Sequence, residues 1–65
     1  MSLAHSLRAL RRDRGLSLSD TARASGVSKA TLSGLESGRG NPTLATVLNL
    51  ARALEVPPSR LIGDE

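Results

Sequence analysis

Residues 28–42 (SKATLSGLESGRGNP) contain three glycines, several hydroxyl side chains and two cations, Lys29 and Arg39. Glycine-rich backbone, hydroxyl groups and cations all bind phosphate oxygens in proteins. A nucleotide-binding loop of the Walker type has four residues between its first glycine and a Gly-Lys-Ser/Thr triplet, after a buried strand. In this chain three residues separate Gly34 from Gly38, no lysine follows, and no strand pattern precedes. The dinucleotide-binding fingerprint fails for the same missing strand. The other interpretation is a helix with a small outward face, followed by a loop.

Side chains for catalysis or metal binding are scarce. The chain has no cysteine and one histidine, His5, so thiolate and imidazole metal cages are excluded. Most serines stand where a helix needs an N-terminal cap, and capping explains them better than nucleophilic catalysis does. We therefore expect no enzyme activity, no metal and no cofactor.

Length and charge restrict the class of protein. A chain of 65 residues buries only about 60% of its unfolded surface and forms one domain, here 1–65. Residues 1–40 carry seven basic and three acidic side chains, whereas residues 41–65 are slightly acidic. The basic half fits a polyanionic partner, although it also fits an ordinary solvated surface. No apolar run approaches the ~20 residues of a membrane span and no signal peptide is recognisable, so we expect a cytoplasmic protein without a membrane partner.

The spacing of apolar residues predicts five short helices and no strand, which is an all-α bundle. Capping residues and helix-ending glycines place these helices at residues 3–14, 18–25, 28–37, 44–54 and 58–62. The broadest apolar face, which is expected to line the core, lies on the fourth helix and comprises Leu44, Val47, Leu48, Ala51 and Leu54. Leu61 and Ile62 are expected to close the core from the far end.

The third helix has an unusual outward face. With Leu32 and Leu35 directed inward, the residues that point outward are Ala30, Ser33, Gly34 and Ser37. A mid-helix glycine costs about 1 kcal/mol relative to alanine. Close approach to a broad partner surface explains the small face, and simple tolerance of an exposed glycine explains it equally well. Context favours the partner, because the preceding short helix, with Ala22 at the crossing and Gly26 at the bend, completes a helix-turn-helix.

Motifs that carry a family resemblance extend over nearly the whole chain. They are Leu7-x-x-Leu10-Arg11, Gly15-Leu16-Ser17, Ala22, Gly26-Val27-Ser28, Leu32-Ser33-x-Leu35-Glu36-x-Gly38, Asn41-Pro42-Thr43-Leu44 and Leu50-Ala51-x-Ala53-Leu54-x-Val56. With these motifs the sequence resembles the Cro/C1-type, or XRE, family of helix-turn-helix regulators. The resemblance implies a compact five-helix domain of the lambda-repressor-like type. Such a domain binds double-stranded operator DNA, usually as a homodimer, and regulates transcription, for instance as a repressor.

The resemblance also implies residue roles, with helix 18–25 across the phosphates and helix 28–37 as the recognition helix in the major groove. The residues expected at base edges are Lys29, Ala30, Thr31, Ser33 and Gly34. The residues expected to contact phosphate are Ser17, Leu18, Ser28, Ser37, Arg39 and Asn41. Arg11 and Glu36 are expected to form an ion pair between the first and third helices; alternatively, the stem of Arg11 covers leucines.

Three positions depart from the family pattern. Leu18 stands where glutamine is common, so its side chain cannot bind phosphate. Thr21 and Ser25 stand where the family is usually apolar, which predicts weaker packing of the second helix. The recognition face also lacks the long amides and guanidiniums that often read bases. We therefore expect few direct base contacts, with DNA shape and deformability carrying more of the specificity.

Two functions remain open at the level of sequence. The leading interpretation is a sequence-specific DNA-binding transcriptional regulator, or the DNA-binding domain of one, with an antitoxin that binds its own promoter as a sub-case. The alternative is a protein-interaction or bridging module that retains the fold with little DNA binding. The weak base-reading set favours this alternative, whereas the basic half, Lys29 and the loop of Arg39 favour DNA.

Overall fold

The computed structural model describes residues 2–62, which form five α-helices and no strand. The helices are α1 (Leu3–Asp13), α2 (Leu18–Ser25), α3 (Lys29–Glu36), α4 (Leu44–Leu54) and α5 (Ser59–Ile62). The predicted all-α, five-helix architecture is confirmed. No helix in this part of the chain is long and apolar enough to cross a membrane.

The first four helices each begin at a hydroxyl side chain that accepts a hydrogen bond from a backbone N–H three residues later. These N-caps are Ser2, Ser17, Ser28 and Thr43. At α2 the cap is reciprocal: Ser17 Oγ accepts from the Asp20 N–H at 2.9 Å, and the Ser17 N–H donates to Asp20 Oδ2 at 3.0 Å. Such bonds satisfy first-turn amides that have no partner inside the helix. Short local patterns therefore fix where these helices begin.

One aliphatic core holds the helices together. Its buried members are Leu7, Leu10, Leu32, Leu35, Val47, Leu50, Ala51, Leu54 and Leu61. In this arrangement α2 packs on α4, α3 packs on α1 and α2, and α5 packs on α1 and α4. Full burial of a leucine side chain contributes about 1.5–3 kcal/mol. The helix-turn-helix of α2 and α3 thus rests on a platform made by α1 and α4.

Three residues expected in the core lie outside it. Leu44 is 73% exposed, Leu48 is 46% exposed and Ile62 is 63% exposed, so the prediction that they are buried is wrong. Leu50 is fully buried in their place. The apolar residues of α4 occupy more of its circumference than its neighbours cover, because the buried residues follow the narrow i, i+3, i+4, i+7 spacing of a single face.

The two polar departures in α2 are both buried and both hydrogen-bonded. Thr21 Oγ1 donates to the Ser17 carbonyl at 3.0 Å, and Ser25 Oγ accepts from the Val27 N–H at 3.1 Å. No buried side-chain nitrogen or oxygen within residues 2–62 lacks a partner. These local hydrogen bonds therefore offset the cost of burying two hydroxyl groups at positions where the family usually has apolar side chains.

Candidate nucleic-acid interface

The bend between α2 and α3 requires a left-handed residue, and Gly26 supplies it. Gly26 has a φ of +77°, and its N–H donates to the Ala22 carbonyl at 2.9 Å, which ends α2. A residue with a Cβ is disfavoured in this conformation. Two residues later Ser28 returns to extended backbone and caps α3. The short turn fixes the orientation of α3 relative to α2.

The outward face of α3 carries only small side chains, as the sequence predicts. Ala30, Ser33 and Ser37 are exposed and Gly34 is half-buried. A Cβ added at Gly34 would meet no atom within 4 Å, and the backbone there is helical. No packing contact in the described fold therefore requires glycine at this position, although glycine weakens a helix relative to alanine.

The hydroxyl groups of Ser28 and Thr31 are coupled at the start of α3. Ser28 Oγ accepts from the Thr31 N–H at 3.1 Å and donates its own proton to Thr31 Oγ1 at 2.8 Å. The Thr31 hydroxyl thus accepts internally and retains its proton for an outside acceptor. Purine N7 atoms, which line the major groove, are acceptors of this kind.

A cleft of about 300 Å³ lies between α3, the following loop and the start of α4. Thr31 and Gly34 of α3, Arg39 and Asn41 of the loop, and Thr46 of α4 are among the residues that line it. The side chains of Arg39 and Asn41 are exposed and bond to no other group within residues 2–62. The fold therefore brings two predicted base-reading residues together with two predicted phosphate contacts.

Ser37 lies at the end of the outward face of α3 and does not line this cleft. Its hydroxyl donates to the Ser33 carbonyl at 2.9 Å, and its N–H donates to the Ser33 and Gly34 carbonyls at 3.1 and 3.2 Å. It lines a separate cleft beside Ser2 and Arg8, facing the start of α1. Because both of its donors are used within the helix end, a bond from Ser37 to phosphate requires one of them to be exchanged.

The N-terminus of α2 presents donors of two kinds. The Ser17 hydroxyl accepts from the Asp20 amide and keeps its proton, and the N–H of Leu18 lies in the open first turn of the helix. The Leu18 side chain is partly buried against the core and has no hydrogen-bonding group, so the backbone N–H is the only donor that this residue offers. Hydrogen bonds from Ser17, its backbone N–H first, lower the pKa of Asp20, and Arg23 lies 2.9 Å from the same carboxylate.

An ion pair joins α1 to the end of α3. Arg11 Nε and Nη2 donate to the two oxygens of Glu36 at 2.6 and 3.0 Å, and Nη1 donates to the Leu16 carbonyl at 2.7 Å. The side chains are only 14% and 7% exposed. The hydrogen bond to Glu36 raises the pKa of Arg11, so the guanidinium stays charged. The expected pair is present, and it also holds the turn that leads into α2.

Sequence reasoning missed Arg8, which adds a second contact to Glu36. Arg8 Nη2 donates to the Glu36 backbone carbonyl at 3.1 Å, and Arg8 Nε lies 3.7 Å from Glu36 Oε1. The only signal in the sequence is that Arg8 stands three residues before Arg11, on a neighbouring part of the same helix face.

Known proteins share both this sequence pattern and this fold. The profile of a family described as "Helix-turn-helix domain" matches residues 2–61. The HTH-type transcriptional regulator SutR of Escherichia coli (strain K12) is 47% identical over 61 residues, which are 94% of this chain and 34% of SutR. The HTH-type transcriptional repressor RghR of Bacillus subtilis (strain 168) is 47% identical over 57 residues, which are 86% of this chain and 42% of RghR.

The fold comparison agrees. The restriction-modification controller protein C.AhdI from Aeromonas hydrophila superposes with a TM-score of 0.89 at 37% identity, over 92% of this chain and 91% of C.AhdI. The chain spans about a third of the length of SutR and about two fifths of the length of RghR. Its match over residues 2–61 confirms the resemblance seen in the motifs, and the chain belongs to the helix-turn-helix domain family.

Proposed function

We propose that this chain is a sequence-specific DNA-binding transcriptional regulator, or the DNA-binding domain of one, which inserts α3 into the major groove. The main support for this proposal is that the outward face of α3 carries only small side chains and that two exposed cations, Lys29 and Arg39, lie beside it. Within residues 17–41 these two cations have no acidic partner, whereas Arg23 is paired with Asp20. The roles that the names of SutR, RghR and C.AhdI state support the same function.

Base contacts are proposed for five residues of α3: Lys29, Ala30, Thr31, Ser33 and Gly34. Lys29 is exposed at the start of the helix and can donate to guanine O6 and N7. Thr31 can donate its remaining hydroxyl proton, and Ala30 can contact a thymine methyl group. Few of these groups make bidentate bonds, so we infer that DNA shape and deformability supply part of the specificity.

Phosphate contacts are proposed for Ser17, Leu18, Ser28, Ser37, Arg39 and Asn41. The strongest are the Ser17 hydroxyl, the Leu18 backbone N–H, and the side chains of Arg39 and Asn41, because their donors are free to bind an external oxygen. Ser28 and Ser37 are weaker candidates, since each already donates its hydroxyl proton within the protein.

We also propose that the chain binds DNA as a homodimer. A single module of this size offers a small interface, and two copies on two half-sites add their binding energies. Leu44 and Leu48 lie one turn apart on α4, and both expose large apolar surfaces that the monomer does not use. A second copy is a natural partner for such surfaces.

The test is selection of bound sequences from random duplex DNA by the full chain. We expect enrichment of a motif with two symmetric halves about one helical turn apart. Lys29→Ala should reduce this enrichment, whereas Arg60→Ala, which removes an exposed cation from α5, is the matched control and should retain it. Recovery of random sequences by the folded protein would refute sequence-specific binding.

The alternative function is a protein-interaction or bridging module. The specific observation in its favour is the exposed pair Leu44 and Leu48, together with a recognition face that offers few donors. Two results together would favour this alternative. The selection would enrich no DNA sequence, and the chain would bind itself or another protein in a way that Leu48→Glu abolishes.

A further inference from the structure

The carboxyl end of α3 closes by a Schellman motif. The Gly38 N–H donates to the Leu35 carbonyl at 3.1 Å, and the Arg39 N–H donates to the Gly34 carbonyl at 2.8 Å. Gly38 has the left-handed φ of +81° that this motif needs. Ser37 satisfies the Ser33 carbonyl. Three of the last four carbonyls of the helix are therefore satisfied by the three residues that follow it.

The fourth of these carbonyls, that of Glu36, is satisfied by α1. Arg8 reaches it across 28 positions of sequence, and its Nη2 donates at 3.1 Å. The last turn of α3 contains no basic residue of its own. A cation at a helix C-terminus interacts favourably with the helix dipole, and here Arg8 provides it from a neighbouring helix. Arg8 thus completes the end of α3 in both hydrogen bonding and charge.

We propose that Arg8 is a positioning residue for DNA binding, which fixes the end of α3 and the course of residues 37–41. This segment carries Arg39 and Asn41, so its course determines where their side chains meet the DNA backbone. The role of Arg8 is distinct from that of Arg11. Arg11 binds only the carboxylate of Glu36, whereas Arg8 donates to the Glu36 backbone carbonyl and lies at the longer distance of 3.7 Å from the carboxylate. The functional part of this inference rests on the proposed function, whereas the structural part does not.

Amide hydrogen exchange of the free protein tests the structural part without DNA. In Arg8→Ala, we expect the amides of Ser37, Gly38 and Arg39 to exchange about threefold to tenfold faster relative to those of α4, as loss of one hydrogen bond implies. Arg12→Ala is the matched control, because it removes an exposed arginine from the same helix and should leave these amides unchanged. Arg8→Lys keeps a cation beside the helix end and should restore part of the protection.

The functional part is tested with the duplex recovered by selection and with a random duplex of equal length. Arg8→Ala should weaken binding to the selected duplex about threefold to tenfold. When Arg8→Ala is added to Arg39→Ala, so that Arg39 no longer contributes, the slope of log affinity against log salt should stay unchanged. A slope smaller by about one would instead make Arg8 a phosphate contact and overturn the positioning role. Equal exchange in wild type and Arg8→Ala, or uniformly faster exchange throughout the chain, would overturn it as well. If the selection yields no duplex, the proposed function fails, while the exchange result still decides whether Arg8 holds residues 37–39.

Discussion

Replacement of Glu36 by alanine probes the interaction that joins α1 to the recognition helix. The change removes the two carboxylate oxygens that accept from Arg11 at 2.6 and 3.0 Å, and it leaves a guanidinium that is only 14% exposed. Removal of one partner of a buried ion pair costs about 3–5 kcal/mol, because the remaining charge loses its compensation. Arg11 keeps its bond to the Leu16 carbonyl and some hydration, so we expect the lower end, about 3 kcal/mol.

This loss is large for so small a domain. A chain of 65 residues has a free energy of unfolding of roughly 3–10 kcal/mol, and a loss of about 3 kcal/mol lowers the melting temperature by roughly 12–24 °C. Urea unfolding followed by circular dichroism measures the free energy directly. Asp13→Ala, which removes an exposed acid from α1, is the control and should change it by less than about 0.5 kcal/mol.

A double-mutant cycle separates the pair from its surroundings. Glu36→Gln keeps the shape of the acid, and Arg11→Met keeps most of the apolar stem that packs beside it. We expect the two single changes and the double change to give a coupling free energy above about 1 kcal/mol. Additivity of the two changes to within about 0.5 kcal/mol, or a Glu36→Ala variant as stable as the wild type, would refute the reasoning.

Three further predictions concern single positions. Gly34→Ala should raise the free energy of unfolding by up to about 1 kcal/mol, because a Cβ there meets no atom within 4 Å, and it should weaken binding to the selected duplex; unchanged affinity would exclude close approach at Gly34. Glu55→Gly should also stabilise, by up to about 1 kcal/mol in urea unfolding, since Glu55 closes α4 with a left-handed φ of +58°; a destabilised variant would contradict this. Because folding lowers the pKa of Asp20, its contribution is present above the ordinary aspartate pKa and is lost as the pH falls through the lowered value. Asp20→Asn should therefore flatten the acid side of the stability–pH curve, and parallel curves would be inconsistent with that role.

Much of the fold is predictable from the sequence because its signals are local. A capping hydroxyl and its amide partner are three residues apart, as Ser17 and Asp20 are, and the apolar period of a helix is read within a few turns. The bend at Gly26 is equally local, since its left-handed backbone excludes most other residues. These patterns predict all five helices to within one residue at each end.

The candidate site is predictable in outline and not in its hydrogen bonding. The small outward face of α3 can be predicted from helical spacing. The exposure of Arg39 and Asn41 can be predicted from their place in the loop that follows α3. Which donors remain free does not follow, because a hydroxyl such as that of Ser37 can bond inward or outward at similar cost. Only in the folded structure is it decided that Ser37 donates to its own helix while Thr31 keeps its proton.

The sequence alone determined the helices, their caps, the helix-turn-helix and the pairing of Arg11 with Glu36 that the family resemblance implies. The tertiary structure decided which apolar face of α4 is covered, and so left Leu44 and Leu48 exposed although their spacing fits a helical core. It also decided that Arg8 completes the end of a helix 28 residues away. Burial and long-range hydrogen bonds depend on where other helices lie, and no local pattern records that position.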